Sequence, residues 1–311
     1  MTAAVVIGES LVDLVWPAGA ASPEAVAGGS PANVAVGLHR LDRPVTLVTC
    51  WGDDPPGQLV ERHLRGTGAD LVRVPSRSGR TTIALAYLDG SGAANYQFLP
   101  AWDPAEIPLP DDARLLHTGS LAAVLQPGAE QVRAACADFR ARPGAVVALD
   151  LNVRPSVEPD HVRYRTILEE LIAVADLVKA SDEDLTWLWP ERSPEESAQA
   201  LLAQGPRLSV LTRGEAGAVG FTAQTKVSAS APPTRVVDTI GAGDSFQAAL
   251  LAGLLADGGA GNGVRLPLTA EELEPVLRRA VVAGALATTR AGAQPPTTEE
   301  LDAAMPNALS T

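Results

Sequence analysis

The chain has 311 residues, of which 46% are hydrophobic and 20% are charged, so it can bury a sizeable core and wholesale disorder is excluded. Its 24 Lys and Arg against 37 Asp and Glu give a formal net charge of −13, which excludes a nucleic-acid partner held by a broad basic surface but not a local cationic pocket. The two cysteines, Cys50 and Cys136, are too few for a disulfide framework and are expected to be buried, inert thiols.

Along the chain, short apolar runs typical of buried strands alternate with stretches of helical spacing. The predicted strands are residues 5–8, 45–49, 115–118, 146–150, 177–179 and 208–212, and the predicted helices are residues 31–41, 57–64, 130–140, 162–174 and 195–203. This alternation predicts an α/β fold with a parallel sheet between two helical layers, which binds its ligands beyond the carboxyl ends of the strands. The amino terminus lacks the features of a signal peptide and no apolar run approaches the roughly 20 residues that span a bilayer, so we expect a cytoplasmic protein without membrane contact.

Two stretches interrupt the alternation. Residues 12–16 and 82–99 are β-type in pattern with no intervening helix, and the dipeptides Asp89-Gly90 and Ser91-Gly92 predict a hairpin turn in the second. We infer a small β-lid, formed roughly by residues 11–27 and 76–102, on a single domain that spans residues 1–311. An antiparallel extension of the main sheet is the alternative.

The segment GGSPAN, residues 28–33, opens the first predicted helix. Ser30 suits the N-cap and Pro31 suits the first helical position, while the two glycines leave the backbone bare just before the helix. Asn33 offers a donor and an acceptor, which suits a sugar hydroxyl. A well-capped helix with an incidental asparagine explains the segment equally well.

The strongest pattern is VDTIGAGDSF, residues 237–246. Helical spacing follows Asp244, so Gly241-Ala242-Gly243 forms a turn at a helix N-terminus, where unpaired N–H groups and the helix dipole favour a phosphate. Asp244 can face the same cleft, although an N-capping aspartate is the simpler interpretation of this turn taken alone. The sequence has no Walker A motif and no full GxGxxG, so neither a P-loop NTPase nor a dinucleotide-binding fold has motif support.

Taken together, these segments resemble the ribokinase (PfkB) family of carbohydrate kinases. GGSPANVAVGLHRL is similar to the family's amino-terminal signature and DTIGAGDSF to its carboxyl-terminal one, while DLNVRPS, ADLVKASDED and LTRGEAGAVGF match intermediate segments in the expected order. The resemblance covers nearly the whole chain, and IGESLVDL and LDLNVRPS are most similar to bacterial fructokinases. It implies a ribokinase-like three-layer sandwich with a mostly parallel central sheet and a small β-sheet lid.

The resemblance also implies roles for individual residues. Asp244 matches the base that deprotonates the attacking sugar hydroxyl, and Gly241, Ala242 and Gly243 match the anion hole for the transferred phosphoryl group. The implied sugar-binding residues are Asp13, Gly28, Gly29, Asn33, Phe98 and Arg154. The implied nucleotide-binding residues are Lys179, Ser181, Thr212, Arg213, Gly214 and Gly217. A monovalent cation is implied at Asp238, Ile240 and Gly292, and Mg²⁺, through water, at Asp184.

Several of these assignments have alternatives. Many family members carry Asn-x-x-Glu where this chain has Ser181 and Asp184, so Asp184 is equally well interpreted as a helix-start carboxylate. Arg154 could be a solvated loop cation, and the turn at residues 212–217 could be a plain hairpin. Trp16 and Trp102 are hypothesised to line the lid side of the sugar pocket.

The expected activity is ATP-dependent phosphorylation of a primary hydroxyl of a small sugar, with Mg²⁺ required and K⁺ activating. D-fructose, giving fructose 6-phosphate, is favoured because the lid segment at residues 95–99 has no basic residue for a carboxylate. The alternatives are a 2-keto-3-deoxygluconate kinase and, from another class, a non-catalytic sugar- or nucleotide-sensing module on the same fold. Ribokinase and nucleoside kinase activities rank lower. The resemblance implies no nucleic-acid partner and a homodimer formed through the lid.

Overall fold

The protein is described here from a computed structural model that covers residues 3–88, 94–255 and 263–305. The strands are β1 (Ala4–Ile7), β2 (Leu11–Trp16), β3 (Glu24–Gly28), β4 (Val45–Thr49), β5 (Asp70–Arg73), β6 (Thr82–Leu88), β7 (Ala94–Leu99), β8 (Leu115–Gly119), β9 (Val146–Asp150), β10 (Leu177–Ser181), β11 (Leu208–Thr212), β12 (Ala218–Phe221) and β13 (Lys226–Ala229). The helices are α1 (Ser30–Arg40), α2 (Pro55–Thr67), α3 (Gly128–Arg140), α4 (His161–Ile172), α5 (Asp182–Leu188), α6 (Pro194–Leu201), α7 (Ala242–Leu254), α8 (Ala270–Ala287) and α9 (Thr298–Ala304).

Nine strands form the large sheet, in the order β13-β12-β11-β10-β9-β8-β1-β4-β5. The strands from β11 to β5 are parallel, and β12 and β13 extend one edge as an antiparallel hairpin. Because side chains alternate along a strand, Ala4 and Val6 of β1 belong to one core and Val5 and Ile7 to the other. Helices α1, α2, α7, α8 and α9 cover the first core and α3 to α6 the second, so the predicted three-layer sandwich is confirmed.

Four further strands form a separate small sheet in the order β3-β2-β6-β7. β2 pairs with β6 in parallel, and the two other pairs are antiparallel. Among the described residues these strands pair with one another and not with the large sheet, so the β-lid, and not an extension of the main sheet, is present. The predicted turn dipeptides at residues 89–92 lie outside the described residues.

Cys50 and Cys136 are both buried and unbonded, as expected. Burial raises the pKa of each thiol to about 12, so neither is a nucleophile at neutral pH. In the parts of the chain that the structure covers, none of the helices has the length and hydropathy needed to cross a bilayer.

Candidate active site

The turn that begins α7 has the geometry expected of an anion site. Gly241 precedes the helix with φ 74°, a left-handed conformation, and a Cβ at this position would lie 2.7 Å from the Cβ of Ala293. Glycine therefore meets both a conformational and a steric requirement here. Ala242, Gly243 and Asp244 form the first turn, whose N–H groups lie at the positive end of the helix dipole.

Asp244 is held by two side chains from α1. The Ser30 hydroxyl donates to Oδ1 at 2.7 Å and Asn33 Nδ2 donates to Oδ2 at 2.8 Å. These bonds join segments more than 200 residues apart in the chain, as the pairing of the two signatures requires. Both oxygens of the carboxylate are thereby oriented before any substrate binds.

The expectation that Ser30 is the N-cap of α1 is wrong. The helix begins at Ser30, Gly29 occupies the cap position, and no side chain caps the helix. The Ser30 hydroxyl bonds Asp244 instead. Ser30 is therefore a site residue that the capping pattern concealed.

The lid places a carboxylate close to this centre. Asp13 lies on β2, where a Cβ on Gly28 would be 2.8 Å from Asp13 Oδ2, so the glycine leaves room for that carboxylate. Burial raises the pKa of Asp13 to about 6; the charge of Arg154 opposes this rise and that of Asp244 adds to it. Asp13, Arg154 and Asp244 thus lie within electrostatic reach of one another, which brings together three of the predicted residues.

Arg154 follows β9 and is half-buried. Its backbone N–H donates to the Tyr164 hydroxyl at 2.9 Å, and its guanidinium donates to the carbonyl of Val153 at 2.9 Å. Burial raises the pKa of both Asp13 and Tyr96, two lid residues, and the charge of Arg154 opposes both rises. It therefore faces the lid, in contrast to the alternative of a fully solvated loop cation.

The aromatic residues considered for the sugar pocket lie in three places: on one face of the lid sheet, on its other face, and in the core. Phe98 pairs with Ala84, which pairs with Asp13, so Phe98 and Asp13 share a face. Trp16 lies on the opposite face and stacks on Tyr87 at 6.3 Å. Trp102 is buried in the core beside α3. The hypothesis that the two tryptophans line the sugar pocket is wrong.

Lys179 projects from β10 beneath the first turn of α7. Its Nζ donates to Asp150 Oδ2 at 2.9 Å, and a Cβ added to Gly243 would lie 3.4 Å from Nζ. Both side chains are buried, and Asp150 Oδ1 has no hydrogen-bond partner among the described residues. Burial alone would lower the pKa of Lys179, but the nearby carboxylates, Asp150 first, raise it. A permanent positive charge therefore underlies the predicted anion hole.

Ser181 and Asp184 form a capping box at the start of α5. Ser181 Oγ accepts from the Asp184 N–H at 3.0 Å, and Asp184 Oδ2 accepts from the Ser181 N–H at 2.9 Å. Asp184 Oδ1 accepts from the N–H of Val153 at 2.7 Å. Asp184 thus has the helix-start role that was the alternative to magnesium binding, and it also anchors the loop that carries Arg154.

The predicted nucleotide turn joins β11 and β12 as a hairpin, as the structural alternative proposed. The Arg213 N–H donates to the Gly217 carbonyl at 2.8 Å, and Arg213 lies 3.4 Å from Glu195. Gly214 and Gly217 have φ of 51° and 84°, and a Cβ on Gly217 would lie 2.1 Å from the carbonyl oxygen of Ala229. Since Thr212 pairs with Ser181 in the sheet, the turn lies at the carboxyl edge, beside α5.

Asp238 joins two loops near the start of α7. Its Oδ1 accepts from the N–H of Ile240 at 3.0 Å and its Oδ2 from the N–H of Gly292 at 2.8 Å. The three residues of the predicted cation site therefore lie together. No group of three or more His, Cys, Asp or Glu with metal-binding geometry occurs in the described parts of the chain, so a cation here would rely on Asp238 and backbone carbonyls, a donor set that suits a hard ion.

Comparison with known proteins agrees with the family resemblance of the two signature segments. The family model described as pfkB family carbohydrate kinase matches residues 1–300. A fructokinase from Salmonella typhimurium is 32% identical over 296 residues, which cover 93% of this chain and 94% of the relative. The fructokinase from Xylella fastidiosa with bound ATP superposes with a TM-score of 0.85 at 25% identity and covers 100% of both chains. A double mutant of the Vibrio cholerae O395 fructokinase, in fructose, ADP and potassium ion bound form, has a TM-score of 0.82 at 28% identity and covers 97% of this chain and 98% of that one.

Proposed function

We propose that this chain, which belongs to the pfkB family of carbohydrate kinases, transfers the terminal phosphoryl group of ATP to the 6-hydroxyl of D-fructose. The observation that carries the proposal is the Asp244 carboxylate, held by Ser30 and Asn33 beside the first turn of α7. Similarity to fructokinases over most of the chain favours fructose, and it does not favour a 2-keto-3-deoxygluconate kinase.

In the proposed reaction Asp244 accepts the proton of the sugar hydroxyl. The hydroxyl oxygen then forms a bond to the γ-phosphorus while the bond from that phosphorus to the ADP oxygen breaks. Negative charge that develops on the transferred group meets the N–H groups of Gly241, Ala242 and Gly243 and, beneath them, the ammonium of Lys179. The chain's own contribution is therefore orientation of the base and electrostatic stabilisation.

The sugar is proposed to lie between α1 and the lid. Asp13 and Asn33 offer acceptors to its hydroxyls, Arg154 offers donors, and Phe98 covers the apolar side. Gly28 leaves room for the Asp13 carboxylate, and Gly29 lets the chain pass close to the backbone of Glu9 and Ser10. A neutral ketohexose needs no additional cation, and the lid segment at residues 95–99 supplies none.

The nucleotide is proposed to contact Lys179, Ser181, Thr212, Arg213, Gly214 and Gly217. A bound Mg²⁺ would neutralise phosphate charge, and Asp184, whose two oxygens each accept a backbone hydrogen bond, would orient it through water. A bound K⁺ at Asp238, Ile240 and Gly292 would order the loop that precedes α7. Asp238 fits this role because its hydrogen bonds already tie that loop to Gly292.

We also propose a homodimer through the lid. Tyr87 and Leu99 are large apolar residues on the face of the lid opposite Asp13, where they are 40% and 59% exposed, and burying them would favour association. Sedimentation velocity should give a dimer that a charged substitution such as Leu99→Lys dissociates. The cytoplasmic location stays a prediction.

Release of ADP with a panel of sugars tests the function. Fructose should give a higher kcat/KM than 2-keto-3-deoxygluconate, ribose or adenosine, and Asp244→Asn should lower kcat about 10²–10⁴-fold with each sugar that is turned over. A preference above about tenfold for the keto-acid would contradict the fructose assignment and leave the kinase standing. Sugar binding without turnover by the wild-type protein would instead indicate a sensing module.

A further inference from the structure

Glu9 is a buried carboxylic acid that the proposed reaction does not use. It lies in the link between β1 and β2, where the chain passes from the large sheet to the lid, and its side chain is 1% exposed. The next residue, Ser10, is equally buried and accepts a hydrogen bond from Thr49 Oγ1 at 2.9 Å. A buried acid at the point where the chain enters the lid needs a physical explanation.

The Glu9 carboxylate is surrounded by hydrogen-bond donors. Oε2 accepts from the N–H of Ala122 at 3.0 Å, and the Ser120 hydroxyl and the N–H of Leu121 also bond the group. These donors belong to the 3-10 turn Ser120–Ala123 that follows β8. One side chain from the lid hinge thus holds an entire turn at the carboxyl edge of the sheet.

The 3-10 turn Ser120–Ala123 also packs against the lid. Leu121 packs in one cluster with Leu11 and Ala84 of the lid, and Phe98, a proposed sugar contact, packs against the same cluster. Ser120 has φ 56°, a left-handed conformation that is costly for a residue other than glycine and needs bonds to hold it. Glu9 supplies such a bond through the Ser120 hydroxyl.

The chain that leaves β3, another strand of the lid, also comes close to the link between β1 and β2. Gly29, which follows β3, has φ 118°, and a Cβ there would lie 2.5 Å from the carbonyl oxygen of Glu9. Both strands that carry the proposed sugar-binding residues Asp13 and Gly28 therefore converge on Glu9.

We propose that Glu9 is a positioning residue: its ionised carboxylate clamps the 3-10 turn Ser120–Ala123 to the lid hinge and so sets the affinity for sugar without touching it. The proposal rests on the kinase function proposed above. A carboxylate accepts from all of the surrounding donors, whereas a protonated carboxyl carries an O–H that opposes one of them. Loss of ionisation therefore loosens the clamp.

The surroundings make this ionisation relevant near neutral pH. Burial raises the pKa of Glu9 to about 7, against the lowering effect of its hydrogen bonds. The titratable groups that face it are the Cys50 thiol, beside β4, and the Tyr164 phenol, on α4. Burial raises the pKa of both, so neither is charged at pH 7 and neither compensates the carboxylate.

The kinetic test compares Glu9→Gln with Asp176→Asn. Asp176 is also a buried carboxylate that accepts from a backbone N–H, that of Val147 at 3.0 Å, but it lies at the amino end of β10, away from the lid. Glu9→Gln should raise KM for fructose by about tenfold and leave kcat and KM for ATP within about twofold. Asp176→Asn should change none of the three. The proposal would be overturned if Glu9→Gln lowered kcat and raised both KM values by similar factors. An unchanged KM for fructose would overturn it as well.

The pH dependence of KM for fructose provides a second test. In the wild type, KM for fructose should fall as pH rises through about 7, and Glu9→Gln should lack this step while retaining the lower one, near pH 6, that belongs to Asp13. Ser120→Gly suits the left-handed conformation and removes one donor, so it should move the upper step to higher pH. An upper step that persists in Glu9→Gln, or that does not move in Ser120→Gly, refutes the assignment.

Hydrogen exchange tests the clamp without any substrate, and it separates this proposal from the proposed function. Amides of β2 and β6 should exchange faster in wild type at pH 6 than at pH 8 once the chemical exchange rate is corrected, and faster in Glu9→Gln at both. Amides of β9 should not differ. If the wild type fails to phosphorylate fructose, the function fails while this result still decides the clamp. Equal protection of the lid strands in all samples overturns the clamp.

Discussion

Removal of the Lys179 ammonium gives the sharpest test of the charge beneath the anion hole. Nζ lies 2.9 Å from Asp150 Oδ2, and the two side chains are 6% and 2% exposed. Lys179→Met would leave Asp150 buried without a counter-ion, and its Oδ1 already lacks a partner among the described residues. Breaking a buried ion pair on one side costs about 3–5 kcal/mol of unfolding free energy.

The loss of unfolding free energy in Lys179→Met should depend on pH, in a direction that follows from the pKa of Asp150. Burial raises the pKa of Asp150 to about 6 even though Lys179 lowers it, so without Lys179 it rises further. The native state of Lys179→Met then holds a proton that the unfolded state, with its ordinary lower pKa, does not. Its unfolding free energy therefore falls as pH rises through the native pKa, and the deficit should be larger at pH 8 than at pH 5.5. Urea unfolding at both pH values measures it.

A double variant separates stability from catalysis. Adding Asp150→Asn to Lys179→Met removes the uncompensated charge and should recover most of the lost stability, while kcat stays lower by roughly 10²–10³-fold because the positive charge under Gly243 is still missing. Lys226→Met is the control, since this lysine is half exposed in its pair with Glu195 and should cost no more than about 1 kcal/mol. Wild-type stability of Lys179→Met at pH 8, or full kcat in the double variant, would refute the reasoning.

Three further outcomes follow from the site. Asp244→Asn keeps the size of the side chain and removes the proton acceptor, so kcat should fall about 10²–10⁴-fold with KM for ATP little changed, and more than a tenth of wild-type kcat would count against it as the base. Replacing K⁺ by a large organic cation at equal ionic strength should lower activity in the wild type but make no difference in Asp238→Asn; a wild type indifferent to the exchange argues against the cation site. Because the pKa of Asp13 is about 6, acidification below that value should neutralise it and raise KM for fructose, whereas Asp13→Asn should show a high KM without that step; a step that survives the substitution belongs to another group.

The sequence predicted the interior of the fold better than its edges. Strands β4, β9 and β11 begin and end at the predicted residues because they are continuous apolar runs with buried or nearly buried side chains on both faces. β5 and β13 were missed because both are edge strands that carry charges: Asp70–Arg73 is exposed at three of its four positions, and Lys226–Ala229 at every second one. α5 was missed because its seven residues are too few to establish a helical period.

The candidate site residues also fall into two groups, those with an unusual local sequence pattern and those whose partners are distant in the chain. Asp244 and Asn33 stand in segments whose local pattern is itself unusual, so the sequence could identify them. Ser30, Asp150 and Glu9 were not identified because their partners lie 214, 29 and 113 residues away in the chain, and only the assembled fold brings them together. The Asp150 position at the carboxyl end of a buried strand was the one local signal available.

Asp244, the proposed base, and Asn33, a proposed sugar contact, lie on two packed helices, α7 and α1. Asn33 Nδ2 donates to Asp244, and its Oδ1 is an acceptor suited to a sugar hydroxyl. A Cβ on Gly37 would lie 2.5 Å from the Cβ of Ala248, so glycine lets α1 and α7 approach closely enough to fix this arrangement. In the proposed complex the distance between the reacting hydroxyl and Asp244 would therefore be set by α1 and α7, whereas Asp13, on β2, belongs to the lid. Changes in lid position should consequently act on sugar binding more than on the chemical step, which is why a hinge residue such as Glu9 can tune KM and leave kcat nearly unchanged.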